Sequence, residues 1–187
     1  DVSTASARGV FVANCPGKNS AAVAELAIGL ILALDRSIPD NVMDARNGVW
    51  NKALYGKSDG VKGKTLGVVG LGNIGKEVIQ RAKGLDMNVV AWSRSMTDAK
   101  AAALGVTALD SPLDVAAEAD IVSLHVSSNA ETKGLAGTAF FEAMKQGAFL
   151  INTTRGAVVD EDAMLNAIAD KNIRVGLDGF SNEPAFK

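Results

Sequence analysis

The sequence has few of the residues from which metal sites and disulfides are built. It contains one cysteine, Cys15, and one histidine, His125, among 187 residues. A zinc site of the usual kind needs several Cys or His ligands, so a Cys/His zinc cluster is excluded, and we predict no metal. Cys15 has no partner within the chain for a disulfide, which favours a reducing compartment, the cytoplasm.

An excess of basic charge and a long apolar run are also missing. Lys and Arg total 19 against 21 Asp and Glu, a net charge of -2, whereas nucleic-acid binders are usually basic. The longest apolar stretch, residues 21–34, is interrupted by Glu25 and is shorter than the roughly 20 residues that span a bilayer. Residues 1–4 lack the features of a signal peptide. We expect no nucleic-acid partner and no membrane span. Because both ends look cut, we also expect the chain to be a piece of a longer protein.

From residue 65 onward, short apolar segments alternate with helical patterns. We predict strands over residues 65–70, 87–92, 121–126, 148–152 and 173–177. We predict helices over residues 73–83, 97–104, 112–119, 138–145 and 160–171. Strands that are apolar throughout are typical of a parallel sheet covered on both faces. The alternation therefore predicts an α/β fold with a doubly wound parallel sheet.

The part of the chain before residue 64 is less regular. Residues 10–13 are predicted as a short strand, and Asn19 and Ser20 as the cap of a helix that runs to about residue 36. Residues 37–63 are predicted to be irregular or weakly helical. This segment carries Trp50 and Tyr55, residue types enriched in interfaces, and the preceding helix has few polar positions. We expect a homodimer; the alternative is that the domain's own sheet, or another domain, covers the helix.

A glycine motif, GxGxxG, occupies residues 70–75 between the first predicted strand and the following helix. In that context Gly70 permits a tight turn, Gly72 lets backbone approach a pyrophosphate, and Gly75 lets the helix pack closely. The free amides at the helix start, including those of Asn73 and Ile74, would face the phosphates. The motif predicts a Rossmann-type dinucleotide-binding domain.

The end of the second predicted strand bears on the choice between NAD and NADP. A carboxylate about 20 residues beyond the motif usually binds the ribose 2′-hydroxyl of NAD. Here that position is Ser93, followed by Arg94. Serine removes a charge that would repel a 2′-phosphate, and arginine can pair with one. We predict that NADP(H) is favoured; the alternative is that Arg94 is an ordinary surface residue and NAD(H) is accepted.

Polar residues also follow the later predicted strands. Ligands of a doubly wound sheet sit beyond the carboxyl ends of its strands. An arginine there can hold a carboxylate in a two-point fork. His125 could be an acid/base, but we favour a histidine fixed beside the cofactor. The candidates at this edge are His125, Thr153, Thr154, Arg155 and Asp178, with Glu183 close enough along the chain to reach them.

Together these motifs make the chain resemble the D-isomer-specific 2-hydroxyacid dehydrogenases, most closely their phosphoglycerate dehydrogenase branch. The resemblance covers essentially the whole chain. Its motifs are residues 14–17 leading to 23–26, the glycine loop, residues 119–126, residues 151–156, and residues 176–178 running to the Glu183-Pro184 pair.

The resemblance implies roles for individual residues. Arg155 would bind the carboxylate and keto oxygen of the substrate, and Glu183 would be the partner that raises the basicity of a catalytic histidine. Asp178 would contact the nicotinamide carboxamide, with Thr153 and Thr154 lining the nicotinamide pocket. Asn73 and Ile74 would bind pyrophosphate, and Val126 would lie on the adenine-ribose side.

The chain departs from the family pattern in four ways. The family's catalytic histidine follows the Glu-Pro motif and lies beyond Lys187, and most of the family's first domain would precede Asp1. Residue 93 is Ser where most members have Asp, and Ser127 stands where a proline is usual. We therefore expect residues 1–14 to end a substrate domain, 15–63 to form a connecting helix and loop, and 64–187 to form the NAD(P)-binding domain.

The predicted function is hydride transfer between NAD(P) and a D-2-hydroxy acid. The first candidate substrate is 3-phosphoglycerate, in serine biosynthesis; the alternative is reduction of glyoxylate or hydroxypyruvate. A non-catalytic dinucleotide sensor is a further alternative. An unrelated Rossmann protein, such as a methyltransferase, is disfavoured by the contexts of Arg155 and Glu183. We expect the chain alone not to turn over a 2-hydroxy acid at the rate of a complete enzyme, since His125 suits positioning better than proton transfer.

Overall fold

The computed structural model describes residues 2–181 and 183. Pro184 of the predicted Glu-Pro pair, and the outer limits of the predicted segments 1–14 and 64–187, lie outside that range. The strands are β1 (Thr65–Val69), β2 (Asn88–Trp92), β3 (Thr107–Ala108), β4 (Ile121–Leu124), β5 (Phe149–Asn152) and β6 (Arg174–Leu177). The helices are α1 (Val2–Ala7), α2 (Ser20–Asp35), α3 (Ile38–Arg46), α4 (Lys52–Tyr55), α5 (Asn73–Gly84), α6 (Asp98–Leu104), α7 (Pro112–Glu118), α8 (Thr138–Ala143) and α9 (Glu161–Lys171).

All six strands form one parallel sheet in the order β3-β2-β1-β4-β5-β6. The order reverses direction beside β1, which makes the sheet doubly wound and confirms the predicted fold class. All carboxyl ends meet at one edge, and the loops after β1 and β4 leave that edge side by side.

Alternate residues of the strands supply two separate cores, one on each face of the sheet. On β1, Leu66 and Val68 belong to the core that α2 and α5 cover, while Val69 belongs to the core under α7, α8 and α9. The period of two in a strand sends neighbouring side chains to opposite faces. Strands with both faces buried therefore have to be apolar throughout, as the sequence pattern indicated.

Several helix boundaries follow from local capping. Asp160 accepts from the amide of Ala163 at 3.1 Å and Ser111 from that of Asp114 at 3.1 Å, which fixes the starts of α9 and α7. Gly105 ends α6 in the left-handed conformation, with φ of 56°. Asn19 precedes α2 but its side chain makes no capping hydrogen bond, so that part of the prediction was wrong.

The structure corrects two other expectations. Residues 10–13 form no strand: Phe11 is fully exposed, and the sheet as described does not include this segment. Residues 38–46 and 52–55 are helical, which is the second of the two forms predicted for residues 37–63. Strand β4 ends at Leu124, where its pairing with β1 and β5 ends, so His125 and Val126 lie in the following loop.

Helix α2 has its apolar face against the domain's own sheet. Ala24, Ala27 and Ile31 are fully buried and pack in the same core as α5. The domain's own sheet therefore covers the helix, which was the alternative to a dimer interface. Helix α2 therefore gives no support to a dimer interface, whereas α3 and α4 contain no buried residues.

Candidate functional site

Two adjoining pockets lie beyond the carboxyl ends of the strands. The larger, of about 640 Å³, is called the Arg155 pocket, and the smaller, of about 370 Å³, the Arg94 pocket. Gly72, His125 and Val126 line both, so the two pockets form one continuous cleft. The cleft starts at the reversal of strand order, which is where dinucleotides bind in doubly wound sheets.

The glycine loop forms the floor where the pockets meet. Gly70 has a φ of 105°, and a Cβ there would lie 2.6 Å from the carbonyl oxygen of His125. A Cβ on Gly75 would lie 2.1 Å from the carbonyl oxygen of Gly70, so α5 packs directly on the loop. A Cβ on Gly72 would meet nothing within 4 Å. Gly70 and Gly75 are thus required by close packing, whereas Gly72 faces open space suited to a ligand.

The first turn of α5 points its amides into this space. The amides at a helix start have no partners within the helix, and they carry the positive end of the helix dipole. Gly72 is the N-cap and supplies no side chain to satisfy them. Asn73 and Ile74 line the Arg155 pocket beside Gly72. This arrangement can bind a pyrophosphate.

His125 connects the two pockets. Its amide donates to the carbonyl of Val69 at 2.7 Å, and its Nε2 lies 2.8 Å from the hydroxyl of the fully buried Ser123. Burial lowers the pKa of His125 to about 4, so the ring is neutral near pH 7. A neutral, buried ring is a poor proton donor, which agrees with a positioning role.

A short loop after β5 carries Arg155. The buried Asn152 holds this loop: its Oδ1 accepts from the Thr154 amide at 3.0 Å and from the Thr154 hydroxyl at 2.6 Å, and its Nδ2 donates to the Arg155 carbonyl at 3.0 Å. The exposed guanidinium of Arg155 donates to the Thr154 carbonyl at 2.7 Å. The loop thus presents one cation, on a fixed backbone, to the cleft.

The segment after β6 passes beside this loop. Asp178 lines the Arg155 pocket, and its amide donates to the Asn152 carbonyl at 3.0 Å. Glu183 does not line either pocket. Its Oε1 accepts from the Phe180 amide at 3.0 Å and would lie 2.8 Å from a Cβ on Gly179. The carboxylate is therefore near the backbone of the Arg155 loop rather than inside the cleft.

The Arg94 pocket has an ion pair that the sequence did not indicate. Arg94 follows β2, and its Nη1 pairs with the carboxylate of Glu131, a residue of the loop between β4 and α8. The two side chains are 67% and 69% exposed. Ser93 lies next to them with a buried hydroxyl. The pocket thus offers one cation and one anion beside the end of β2, where dinucleotide-binding folds usually recognise a ribose 2′ group.

Two lysines lie on the other side of Ser93. A neighbouring cavity of about 340 Å³ is lined by Lys76, Lys100, Ser93 and Ser95 among others. Lys100 donates to the Ser95 carbonyl at 2.5 Å. Around Ser93 the positive charges of Arg94, Lys76 and Lys100 therefore exceed the single negative charge of Glu131.

The cleft also contains buried polar atoms that lack partners. Within residues 2–181 and 183, the buried side-chain atoms without a hydrogen-bond partner are Ser93 Oγ, His125 Nδ1 and Thr153 Oγ1. Each belongs to a residue that lines the cleft. A buried polar atom without a partner costs free energy, so such atoms are rare. Their position fits a polar ligand that runs along both pockets.

The structure brings most of the predicted site residues into this cleft. Only Gly75, which packs under the loop, and Glu183 do not line it. The residues that do are Gly70, Gly72, Asn73, Ile74, Ser93, Arg94, His125, Val126, Thr153, Thr154, Arg155 and Asp178. Sequence reasoning missed Glu131, Lys76 and Lys100, because nothing in their local sequence marks them as neighbours of Ser93.

The sheet order, the glycine loop at the start of α5 and the cleft at the switch point define a Rossmann-type dinucleotide-binding protein. Residues 28–187 match the model of the family described as "D-isomer specific 2-hydroxyacid dehydrogenase, NAD binding domain". The chain belongs to this family, which confirms the resemblance found in the sequence.

Individual relatives support the same assignment. The chain is 39% identical over 185 residues to a D-3-phosphoglycerate dehydrogenase of Archaeoglobus fulgidus, covering 98% of this chain and 35% of that protein. It is 38% identical over 193 residues to a glyoxylate reductase of Thermococcus litoralis, covering 100% of this chain and 58% of that protein. The apo D-mandelate dehydrogenase of Rhodotorula graminis has a similar structure, with a TM-score of 0.89 and 36% identity over 98% of this chain and 56% of that one.

The chain thus spans between about a third and three-fifths of the length of these relatives. In the part of the chain that the structure describes, no helix is both long enough and apolar enough to cross a bilayer.

Proposed function

We propose that the cleft binds NADP(H) in preference to NAD(H), and that the protein of which this chain is the nucleotide-binding part transfers a hydride between that cofactor and a D-2-hydroxy acid. The observation that carries the proposal is the position of Ser93 Oγ, His125 Nδ1 and Thr153 Oγ1, three buried atoms without partners along one cleft. A dinucleotide in the cleft would offer ribose, phosphate and carboxamide groups along the same line.

The proposed orientation follows from the chemistry of the two pockets. The nicotinamide lies in the Arg155 pocket, near Thr153, Thr154 and Asp178, and the adenosine end lies in the Arg94 pocket beside Val126. The pyrophosphate lies at Gly72, against the amides of Asn73 and Ile74. Gly72, His125 and Val126 line both pockets, so an extended dinucleotide can pass from one pocket to the other.

Arg155 is the proposed substrate-binding residue. A guanidinium offers two parallel donors to a carboxylate and can also polarise a keto oxygen, which the resemblance to the family implies. The nicotinamide supplies the hydride when it is bound. The role proposed for Glu183 is to raise the basicity of a histidine, and its carboxylate lies beside the backbone next to the Arg155 loop.

Proton transfer is the step for which the chain offers no suitable group. His125 is its one histidine and has a pKa of about 4. Arg155 does not lose its proton in this range. We expect the 187-residue chain alone to reduce keto acids more slowly than a complete enzyme by about 10²–10⁴-fold, the usual loss without a general acid. Steady-state assays of nicotinamide absorbance would measure this, and comparable turnover would contradict it.

The proposed substrate is 3-phosphoglycerate, in serine biosynthesis, with glyoxylate or hydroxypyruvate as the second candidate. The relatives named D-3-phosphoglycerate dehydrogenase and glyoxylate reductase support these two in the same order as the sequence motifs did. We also propose that residues 1–14, 15–63 and 64–187 divide as expected from the sequence, and that the protein works in the cytoplasm, which the lone Cys15 favours.

A homodimer is part of the proposal. The segment around α3 and α4 exposes large apolar side chains, including Ile38, Met43, Trp50 and Leu54, and Trp50 is 79% exposed. Apolar and aromatic surface of this kind is typical of an interface. Light scattering at micromolar concentration should give the mass of two chains, and a mass of one chain would count against the dimer.

Calorimetric titration of the chain with NADPH and with NADH tests the proposal directly. We expect saturable binding of both, with the lower Kd for NADPH. No heat and no thermal shift with either at millimolar concentration would overturn the proposed function. A clear preference for NADH would overturn the proposed NADP(H) preference alone.

A further inference from the structure

The ion pair between Arg94 and Glu131 crosses the Arg94 pocket. The arginine follows β2 and the glutamate lies in the loop after β4, 37 residues later in the chain. Both side chains line the pocket. The bridge therefore joins the two elements between which the adenosine end of a cofactor would enter.

The loop that carries Glu131 is fixed by bonds that do not involve its carboxylate. The Glu131 amide donates to Asn129 Oδ1 at 2.9 Å, and the Thr132 hydroxyl donates to the Ser127 carbonyl at 2.6 Å. Thr132 is only 7% exposed, which anchors the loop. The Glu131 carboxylate is consequently free to serve a ligand, at the cost only of its bond to Arg94.

A carboxylate in this place changes how the ribose is recognised. The chain has Ser93 where a carboxylate usually accepts the 2′-hydroxyl of NAD. Glu131 brings a carboxylate into the same pocket from a different loop. It can accept the hydroxyl of NAD(H), whereas a 2′-phosphate would be repelled by it and would have to compete with it for Arg94.

We propose that Glu131 is a specificity-determining residue, which supports NAD(H) binding and weakens NADP(H) binding by occupying Arg94. The inference rests on the proposed function, because it concerns the same cleft and cofactor. Lys76 and Lys100, on the far side of Ser93, keep the surroundings positive, so NADP(H) still binds. The preference of the wild-type chain for NADP(H) is then a moderate one that Glu131 limits.

The test compares the Kd values of NADPH and NADH for the wild-type chain and Glu131→Gln. Removing one exposed charge should lower the Kd of NADPH about threefold to tenfold. The same variant should raise the Kd of NADH about threefold, since an amide oxygen accepts the 2′-hydroxyl less strongly than a carboxylate does. The loop bonds use the backbone of residue 131, so the variant should fold normally, which far-UV circular dichroism would check.

Two further variants make the outcome specific. Glu118→Gln removes the same charge from an exposed position on α7 that lines neither pocket, and it should change neither Kd. In an Arg94→Gln background, Glu131→Gln should keep its effect on NADH but lose the part of its effect on NADPH that comes from freeing Arg94, leaving only the relief of direct repulsion. An NADPH gain as large as in the wild-type background would contradict the proposed competition.

The results separate this inference from the function on which it rests. If the wild-type chain binds dinucleotides and Glu131→Gln leaves both Kd values unchanged, or shifts them equally in one direction, the role of Glu131 is refuted and the function stands. If the wild-type chain binds neither dinucleotide, the proposed function fails and the inference fails with it.

Discussion

The two pockets of the cleft are built from different kinds of contact. The Arg155 pocket is fixed by buried groups: Asn152 is 1% exposed and bonds the loop on which Arg155 sits, and Ser123 bonds His125 beneath it. The Arg94 pocket also has a buried anchor, Thr132, but its charged side chains, Arg94 and Glu131, are each about two-thirds exposed.

This difference separates the tasks of the two pockets. Breaking a buried hydrogen bond costs much free energy, so buried groups keep their geometry. Exposed ion pairs contribute little to stability and can be replaced by contacts with a ligand. The fold therefore determines the position of the proposed reacting end, while a few surface charges determine which dinucleotide is preferred. Substitutions in the two pockets should consequently differ in whether they affect stability or selectivity.

The largest effect is expected where the pockets meet, at Gly70. Gly70→Ala places a Cβ 2.6 Å from the His125 carbonyl oxygen, on a residue with a φ of 105°. The clash and the backbone strain together should lower the free energy of unfolding by about 3 kcal/mol or more. Urea denaturation would measure this loss.

Gly72→Ala is the matched control for Gly70→Ala. Its φ is -70°, and an added Cβ meets nothing within 4 Å, so the free energy of unfolding should hardly change. The methyl group would nevertheless stand in the proposed pyrophosphate site and should weaken NADPH binding. Equal losses of stability in the two variants would contradict the packing argument.

The second largest effect is expected from His125, which should lower the free energy of unfolding at low pH. Its pKa falls from 6.5 to about 4 on folding, so the unfolded chain takes up a proton first as the pH drops. Stability should be complete above about pH 6.5 and should fall by about 3 kcal/mol as the pH drops to 4. In His125→Asn this contribution should vanish, which urea midpoints at pH 4.5 and 7 would measure. A wild-type slope identical to that of the variant would show that His125 is not buried in neutral form.

The third comparison uses two asparagines that form similar turns in the two pockets. Asn152 Oδ1 accepts from Thr154, and Asn129 Oδ1 accepts from the Glu131 amide, but Asn152 is buried and Asn129 exposed. Asn152→Ala should lower the free energy of unfolding by about 2–3 kcal/mol, because the groups that lose Asn152 as a partner are buried away from water. Asn129→Ala should lower it by only about 0.5–1 kcal/mol, because water can replace the lost partner. Thermal or urea unfolding of both variants would test this, and a larger loss for Asn129→Ala would reverse the proposed contrast.

The last expected effect is on cofactor selectivity, at Ser93. Ser93→Asp restores a carboxylate that can accept the ribose 2′-hydroxyl and that repels a 2′-phosphate. NADH should therefore become the tighter ligand, and the ratio of the two Kd values should shift about tenfold, or ~1.4 kcal/mol. Titration with both cofactors measures the ratio. Ser95→Asp, two residues farther along, should shift it less; an equal shift would mean that general charge, rather than position, decides.

The sequence was sufficient to predict what regular patterns encode. The alternation of apolar and helical segments predicted five of the strands, and residues 70–75 predicted the floor of the cleft. The pattern could not predict β3, because two residues carry no periodicity. It placed a strand at residues 10–13 because β propensity alone does not show whether a pairing partner exists.

The candidate site likewise contains residues that the sequence could predict and residues that it could not. Thr153, Thr154 and Arg155 directly follow a strand, so their place at the sheet edge could be predicted from the order of the elements. Glu131 could not, because its contact with Arg94 depends on the path of a loop over the sheet edge. Glu183 was expected to reach the cleft from its distance along the chain, but its carboxylate bonds to the Phe180 amide instead.

The central claim is that one dinucleotide occupies both pockets, and amide hydrogen exchange with two ligands tests it most directly. NADPH should protect peptides that contain residues 70–75, 93–95 and 127–135, as well as residues 153–156. The fragment 2′,5′-ADP, which lacks the nicotinamide, should protect the first three sets and leave residues 153–156 unchanged. Protection by NADPH that is confined to one pocket, or that lies elsewhere in the chain, would contradict the account.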